Sequence, residues 1–355
     1  MRRTASWLKA IAATLIAISC NNAGSPGSNP DSTVHDSLKM RIADFLAKKE
    51  ASASTMLKAR LEYEREYIAK HNFNFVVSKT DVSELNLRDI TGARRIDARK
   101  ADSLRKIFNT KASAVFLSKA ERAKILSAAA MPQYDGRNYL PAIRFQRCGN
   151  CWAYSAIGIL ECSHIRKAGI TDPTTVDLSE QQMVDCADAG DCSGGWPYEV
   201  LSFLVKNHKT IMNETDDPDV GQVSACKIAP ATAMIQAVSW QPVDSTNGLD
   251  RIASIASIKN AVVQFGAVST CILATPAFQD YLTDSLHPEL VFQDQPSDPN
   301  NIQINHAIII VGWDDTKGAW LIRNSWGAGW GFGGYGWVSY STNNIGYSSI
   351  SCIAN

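Results

Sequence analysis

Cys151 and His306 stand 155 positions apart in this chain, and Asn324 follows the histidine by 18. Sulfur chemistry near neutral pH needs a thiol held as thiolate, an imidazole that pairs with it and shuttles its proton, and a group that fixes the imidazole tautomer. The three residues supply one candidate for each part. Any fold that uses them must bring three distant segments to one place. Taken singly, each has an ordinary structural reading: a cysteine in an apolar stretch is a small buried hydrophobe, a histidine is usually structural, and Asn-Ser-Trp-Gly is a turn. Only the joint pattern argues for chemistry.

Local sequence supports the grouping. From Cys151 to Arg166 the chain carries Trp152, Ile157, Ile159, Leu160 and Ile165 through an alanine-containing, proline-free stretch after Gly149. This predicts a buried helix that opens at the cysteine. A thiolate there faces unpaired amides and the positive end of the helix dipole, worth about 0.3 to 2 kcal/mol. With His306 as imidazolium beside it, the sulfur is expected to be charged at rest. Ile304 to Val311 is a β-branched apolar run with His306 near its start, and Trp320 to Asn324 reads as a second strand followed by a turn-rich segment to Gly336.

The words around these residues are Cys148-Gly149-Asn150-Cys151-Trp152-Ala153, Asn305-His306-Ala307 with Val311-Gly312-Trp313, and Asn324-Ser325-Trp326-Gly327 with Gly329-Trp330-Gly331. Together, in this order, they resemble the papain-like cysteine peptidases from about Pro132 to Ser351. The resemblance implies an α+β, two-lobed fold: a helical lobe on the Cys151 helix, an antiparallel, β-barrel-like lobe carrying His306 and Asn324, and a cleft for polypeptide substrates between them. It implies Cys151 as nucleophile, His306 as proton shuttle, Asn324 as the holder of the ring and Trp326 as a cover over that bond. No cofactor and no metal are required, only a reduced thiol.

The oxyanion hole departs from the family pattern. Such enzymes place a glutamine side chain beside the nucleophile's own amide, six residues before it. Here Phe145 occupies that position and Gln146 lies five before Cys151. A one-residue deletion in the loop brings Gln146 to the site; without it the enzyme is weakened rather than abolished. Asn150, where Ser or Ala is usual, reads as a tolerated loop residue. By the same resemblance Cys148 pairs with Cys192 and Cys186 with Cys226, while Cys162, Cys271 and Cys352 have no assigned partner. Paired glycines let a peptide backbone approach closely, so Gly194 and Gly195 are expected to hold substrate residues N-terminal to the cut. Trp196, Pro197, Ala307 and Cys271 would line an apolar side-chain pocket, against the plain alternative that Trp196 and Cys271 are core residues.

Residues 1–20 carry a basic start, a short apolar core and Cys20, an exported-protein signal too short to span a bilayer, with an ending like a bacterial lipoprotein box. Cys20 would then be lipidated and the chain held at the bacterial cell envelope; an ordinary cleaved signal is the alternative. Residues 21–33 read as a flexible tether. Residues 34–130 are charged, with apolar positions at helical spacing and neither cysteine nor tryptophan. They suggest a propeptide that inhibits its own enzyme until removed, or else a permanent docking stalk. Residues 131–355 form the peptidase domain. With 35 basic and 35 acidic residues the formal charge is zero, which suggests no nucleic-acid or other polyanion partner. Two rival readings remain: a papain-fold surface binding protein without turnover, and a transferase that passes the thioester to an amine.

Overall fold

The computed structural model describes residues 45–112, 119–230, 233–244, 248–283 and 290–355. The expected signal, Cys20 and tether lie outside them. Helix α1 (Thr55–His71) starts at Ser54, whose side chain accepts from the Leu57 amide, and stops at Asn72 in the left-handed conformation. Its buried residues, Leu57, Leu61, Glu64 and Ile68, share one face. Strand β1 (Val76–Val77), α2 (Ala98–Ala112) and α3 (Lys119–Ala129) complete the N-terminal region, which is mainly helical.

Strand β2 (Gln133–Asp135) leads to α4 (Cys151–Ala168). This helix is buried from Cys151 to Ser163 without a break, because its apolar residues occupy every face, and it ends at Gly169 in the left-handed region. Then come α5 (Gln181–Cys186), β3 (Gly190–Asp191), β4 (Gly194–Gly195), α6 (Pro197–Asn207), β5 (Ala237–Pro242), α7 (Ile255–Phe265), β6 (Val268–Ile272), α8 (Pro276–Gln279) and β7 (Tyr281–Leu282). Strands β8 (His306–Asp314), β9 (Ala319–Arg323), β10 (Tyr335–Ser339) and β11 (Tyr347–Ala354) finish the chain.

Seven strands form one antiparallel sheet in the order β10-β9-β8-β6-β11-β5, with β2 also on β8. Its two end strands, β10 and β5, do not pair with each other, so the expected barrel-like lobe is an open sheet. The physical reason lies in the alternation along β8. Ala307, Ile309 and Val311 face α4, while Ile308 and Ile310 join a separate core with Phe278, Phe292, Trp326 and Trp330. Each face is covered by its own layer, and no closed interior is needed to bury it.

The N-terminal region is part of the second core: Leu57, Leu61, Ile68, Phe75 and Val77 lie in the same cluster as Tyr281, Phe292 and Trp330. Strand β1 pairs antiparallel with β7, Val76 opposite Leu282 and Val77 opposite Tyr281. Beside it Arg60 grips Asp280 with two hydrogen bonds of 2.8 Å.

Candidate active site

Cys151 is the first residue of α4 and His306 the first of β8, and Asn324 follows the last residue of β9. The strand pairing of β8 with β9 brings the last two to one end of the sheet. Asn324 Oδ1 accepts from the Ser325 amide at 2.8 Å, which fixes the oxygen end of its amide. His306 Nε2, 2.8 Å from the same oxygen, must then be the protonated nitrogen. Nδ1 is left as a lone pair with no hydrogen-bond partner among the described residues. Trp326 stacks on the imidazole at 4.4 Å between centroids and is fully buried, shutting water from the His306–Asn324 bond.

The backbone N–H groups of Ala307, Gly92, Ala93 and Trp152 lie near the Cys151 sulfur, each favouring its charged form. Gly92 and Ala93 belong to the N-terminal region, which crosses Cys151 in extended form. Gly195 donates to the Gly92 carbonyl at 2.7 Å and accepts from Arg94 at 3.0 Å, and Ala93 donates to the Asn305 carbonyl at 2.8 Å. A Cβ on Gly92 would run into the Gly149 carbonyl, so only glycine lets the segment lie this close.

Beneath this cover Cys151 and His306 are both fully buried. Burial pushes the thiol up to about 11, against the opposing pull of the four amides. It pushes the imidazole down to about 4, opposed by the bond to Asn324. The sulfur charged at rest that the sequence suggests is therefore not the favoured form here: desolvation outweighs the helix dipole, and both groups tend to neutrality.

Gln146 is fully buried and bonded to Ser325, the neighbour of Asn324, whereas Phe145 is 40% exposed. The Gln146 amide bonds to the Ser325 carbonyl at 2.8 Å, and its Oε1 accepts from Ser325 Oγ at 2.6 Å. Nε2 donates to the carbonyls of Cys148 (2.6 Å) and Ile90 (3.1 Å). Trp326 Nε1 donates to the same Ile90 oxygen at 3.2 Å. Asn150 is not a simple loop residue: it is buried and donates to Asp219, which also accepts from Tyr154.

The Gly194–Gly195 edge is stapled to the nucleophile loop by the Cys148–Cys192 disulfide, and Cys186–Cys226 forms the second bridge. Cys162, Cys271 and Cys352 are free and buried, like Cys151. Cys271 sits opposite Ala307 in the β6–β8 ladder, on the side facing α4. Trp196 donates to the Arg95 carbonyl at 3.0 Å and lies under the Arg94 guanidinium at 5.3 Å. The N-terminal segment thus occupies the edge and pocket wall expected to take substrate.

Two features escaped the sequence. One is which residues cross the cleft; Gly92, amid a mixed and motif-free segment, was the only signal. The other is a buried ionic cluster near Asn324, where Arg144 pairs with Glu161 and Glu180 beside a small cavity also lined by Arg323 and Asn324, and with half-exposed Asp177 outside it. A lone glutamate inside the apolar run Ile159-Leu160-Glu161-Cys162 was its signal, since a buried charge requires a partner.

Residues 132–354 match the family described as papain family cysteine protease. Pro-cathepsin H of Mus musculus is 30% identical over 209 residues, 58% of this chain and 57% of its own length. Cathepsin K of Gallus gallus is 31% identical over 213 residues, 59% of this chain and 58% of its own. The chain thus spans less than two thirds of these curated relatives. Among solved structures, digestive procathepsin L 3 from the larval midgut of Tenebrio molitor superposes with a TM-score of 0.63 at 19% identity, covering 97% of this chain and 98% of that one. A recombinant stem bromelain precursor gives 0.62 at 20% identity, covering 88% and 98%. At these identities the structural likeness is one of fold, and it extends over the N-terminal region as well as the catalytic part. With the family match spanning well over half its length, the chain belongs to the papain family of cysteine proteases.

Proposed function

We propose that this protein is a latent cysteine peptidase whose residues 34–130 are a propeptide. The observation that carries the reading is the backbone of Gly92 and Ala93 crossing the Cys151 end of α4, bonded to Gly195 on one side and Asn305 on the other, together with a His306 whose tautomer is set by Asn324. Once that segment leaves, the desolvation that keeps both groups neutral is relieved. The thiol proton passes to Nδ1, and the thiolate attacks the substrate carbonyl carbon. Gln146 Nε2 and the Cys151 amide stabilise the developing oxyanion. His306 protonates the leaving amine, and a water deprotonated by His306 then hydrolyses the thioester and restores the thiol. The same reading has residues 1–20 export the chain, Cys20 carry a lipid and residues 21–33 tether it to the bacterial envelope until processing. Among the described residues no helix is long and apolar enough to cross a membrane.

The test is labelling by an epoxide-type thiol probe, applied to the full chain before and after removal of the N-terminal region. Label on the processed form alone, and none on Cys151→Ala, is the expected result. Absence of label on folded, reduced, processed protein would sink the reading in favour of a binding protein. Gln146→Ala should lower kcat by about 10²- to 10³-fold with little change in KM.

A further inference from the structure

We infer that the face covered by α2 becomes, after processing, a docking surface for a basic amphipathic helix of a polypeptide substrate, lying N-terminal to its scissile bond. The inference rests on the peptidase reading above. Ile96, Ala101 and Phe108 are buried, and Ile96 and Ala101 share one core cluster with Tyr198, Leu201, Ala237 and Leu249 of the catalytic part. Phe108 meets Trp240 edge-on at 4.6 Å, and Trp240 lies 6.2 Å from Tyr198. Departure of α2 uncovers these aromatics, and contiguous exposed aromatic surface of this kind marks binding sites.

Two carboxylates frame the patch and select the sign of the partner. Lys100 reaches Glu199 at 2.9 Å and Arg105 reaches Asp250 at 3.3 Å. These pairs are partly solvated, so they contribute orientation more than affinity. The patch also continues the cleft. From Ala93 over the nucleophile the chain runs past Trp196 through Arg94 and Arg95, and α2 begins at Ala98. This is the Gly194–Gly195 side, where substrate residues N-terminal to the cut are expected. A substrate runs toward the cut on this side, opposite in direction to the N-terminal region, so a helix docked as α2 is must be joined to the scissile segment by a linker that returns along the helix; with such a linker it can occupy the patch while a bond further along is cut.

The experiment compares two substrates of the processed enzyme: a short fluorogenic peptide, and the same peptide with residues 98–112 fused to its N-terminus through a flexible glycine-serine spacer of about twenty residues, long enough to lead from the far end of the docked helix back along its length of about 22 Å to the cleft. The fused substrate should show a KM lower by at least about tenfold with kcat unchanged. Free 98–112 peptide should abolish that gain without inhibiting cleavage of the short substrate. Combined Glu199→Lys and Asp250→Lys should erase the gain while leaving the short substrate untouched. Equal KM values, a gain that survives charge reversal, or equal inhibition of both substrates would overturn the inference. If neither substrate is cut and the epoxide probe fails, the peptidase reading fails. Docking is then read from the fluorescence anisotropy of labelled 98–112 peptide, which should bind processed but not unprocessed protein; equal binding or none overturns it.

Discussion

The N-terminal region holds the catalytic part in two unlike ways. Around β7 the contact is made by side chains: the Arg60–Asp280 pair, buried Glu64 beside it, and the apolar face of α1. Over Cys151 it is made almost wholly by backbone, with Gly92, Ala93 and Arg94 exchanging bonds with Gly195 and Asn305. A backbone contact of this sort tolerates many sequences but demands close approach, whereas the side-chain anchor demands particular residues. The anchor therefore supplies selective attachment and the crossing supplies occlusion.

The largest expected effect is one of pH on the anchor. Glu64 is pushed up to about 9, first by burial and then by the charge of Asp280, with Arg60 opposing and Asp294 adding to the rise. Asp280 is itself raised to about 6 by burial, opposed by Arg60. Tyr67 and His71 also face this region near Asp294. A carboxyl whose docked value lies above its free value favours docking fully below the free value and loses that contribution as pH rises toward the docked one. Between about pH 4.5 and 9, attachment should weaken by up to about tenfold per pH unit. Latency of the full chain against pH, followed with the epoxide probe, checks this; Glu64→Gln should flatten the profile.

Gly92→Val tests the crossing. Its side chain meets the Gly149 backbone, and about 3 kcal/mol of strain would raise labelling of the full chain on the order of a hundredfold. The anchor stays intact, so α1 should remain docked, as amide exchange would report. Arg60→Ala tests the other contact and strands buried Asp280 without its cation. Loss of a buried pair costs about 3 to 5 kcal/mol, but Arg60 is 30% exposed, which lowers the figure to about 2. Faster release of the N-terminal region is expected, with an unchanged rate for the processed enzyme. If both substitutions loosen α1 equally, the division of labour is wrong.

Much of this was legible in the chain. The apolar stretch after Gly149 marked α4, and the β-branched run marked β8 with the histidine at its start, because both signals are local periodicities. Gln146 and Phe145 are one position apart, and the Gln146–Ser325 bonds that bury the first while the second stays exposed join residues 179 apart. Asn150 looked unremarkable because its partner Asp219 lies 69 positions away. The open sheet was likewise hidden, since the two covers that make closure unnecessary come from α4 and from an N-terminal region with no obvious motif.

The stapled loop and the covered sulfur have a joint redox consequence. Cys148 is oxidised to a bridge three residues from Cys151, which is free and which the proposed chemistry needs reduced. Oxidants and disulfides react with thiolate, so a neutral, fully buried Cys151 is slow to be consumed while Cys148–Cys192 and Cys186–Cys226 form around it. On the proposed reading, the segment through Gly92 and Ala93 would act as a chemical protecting group, taken off only when the maturing chain has finished its oxidative chemistry.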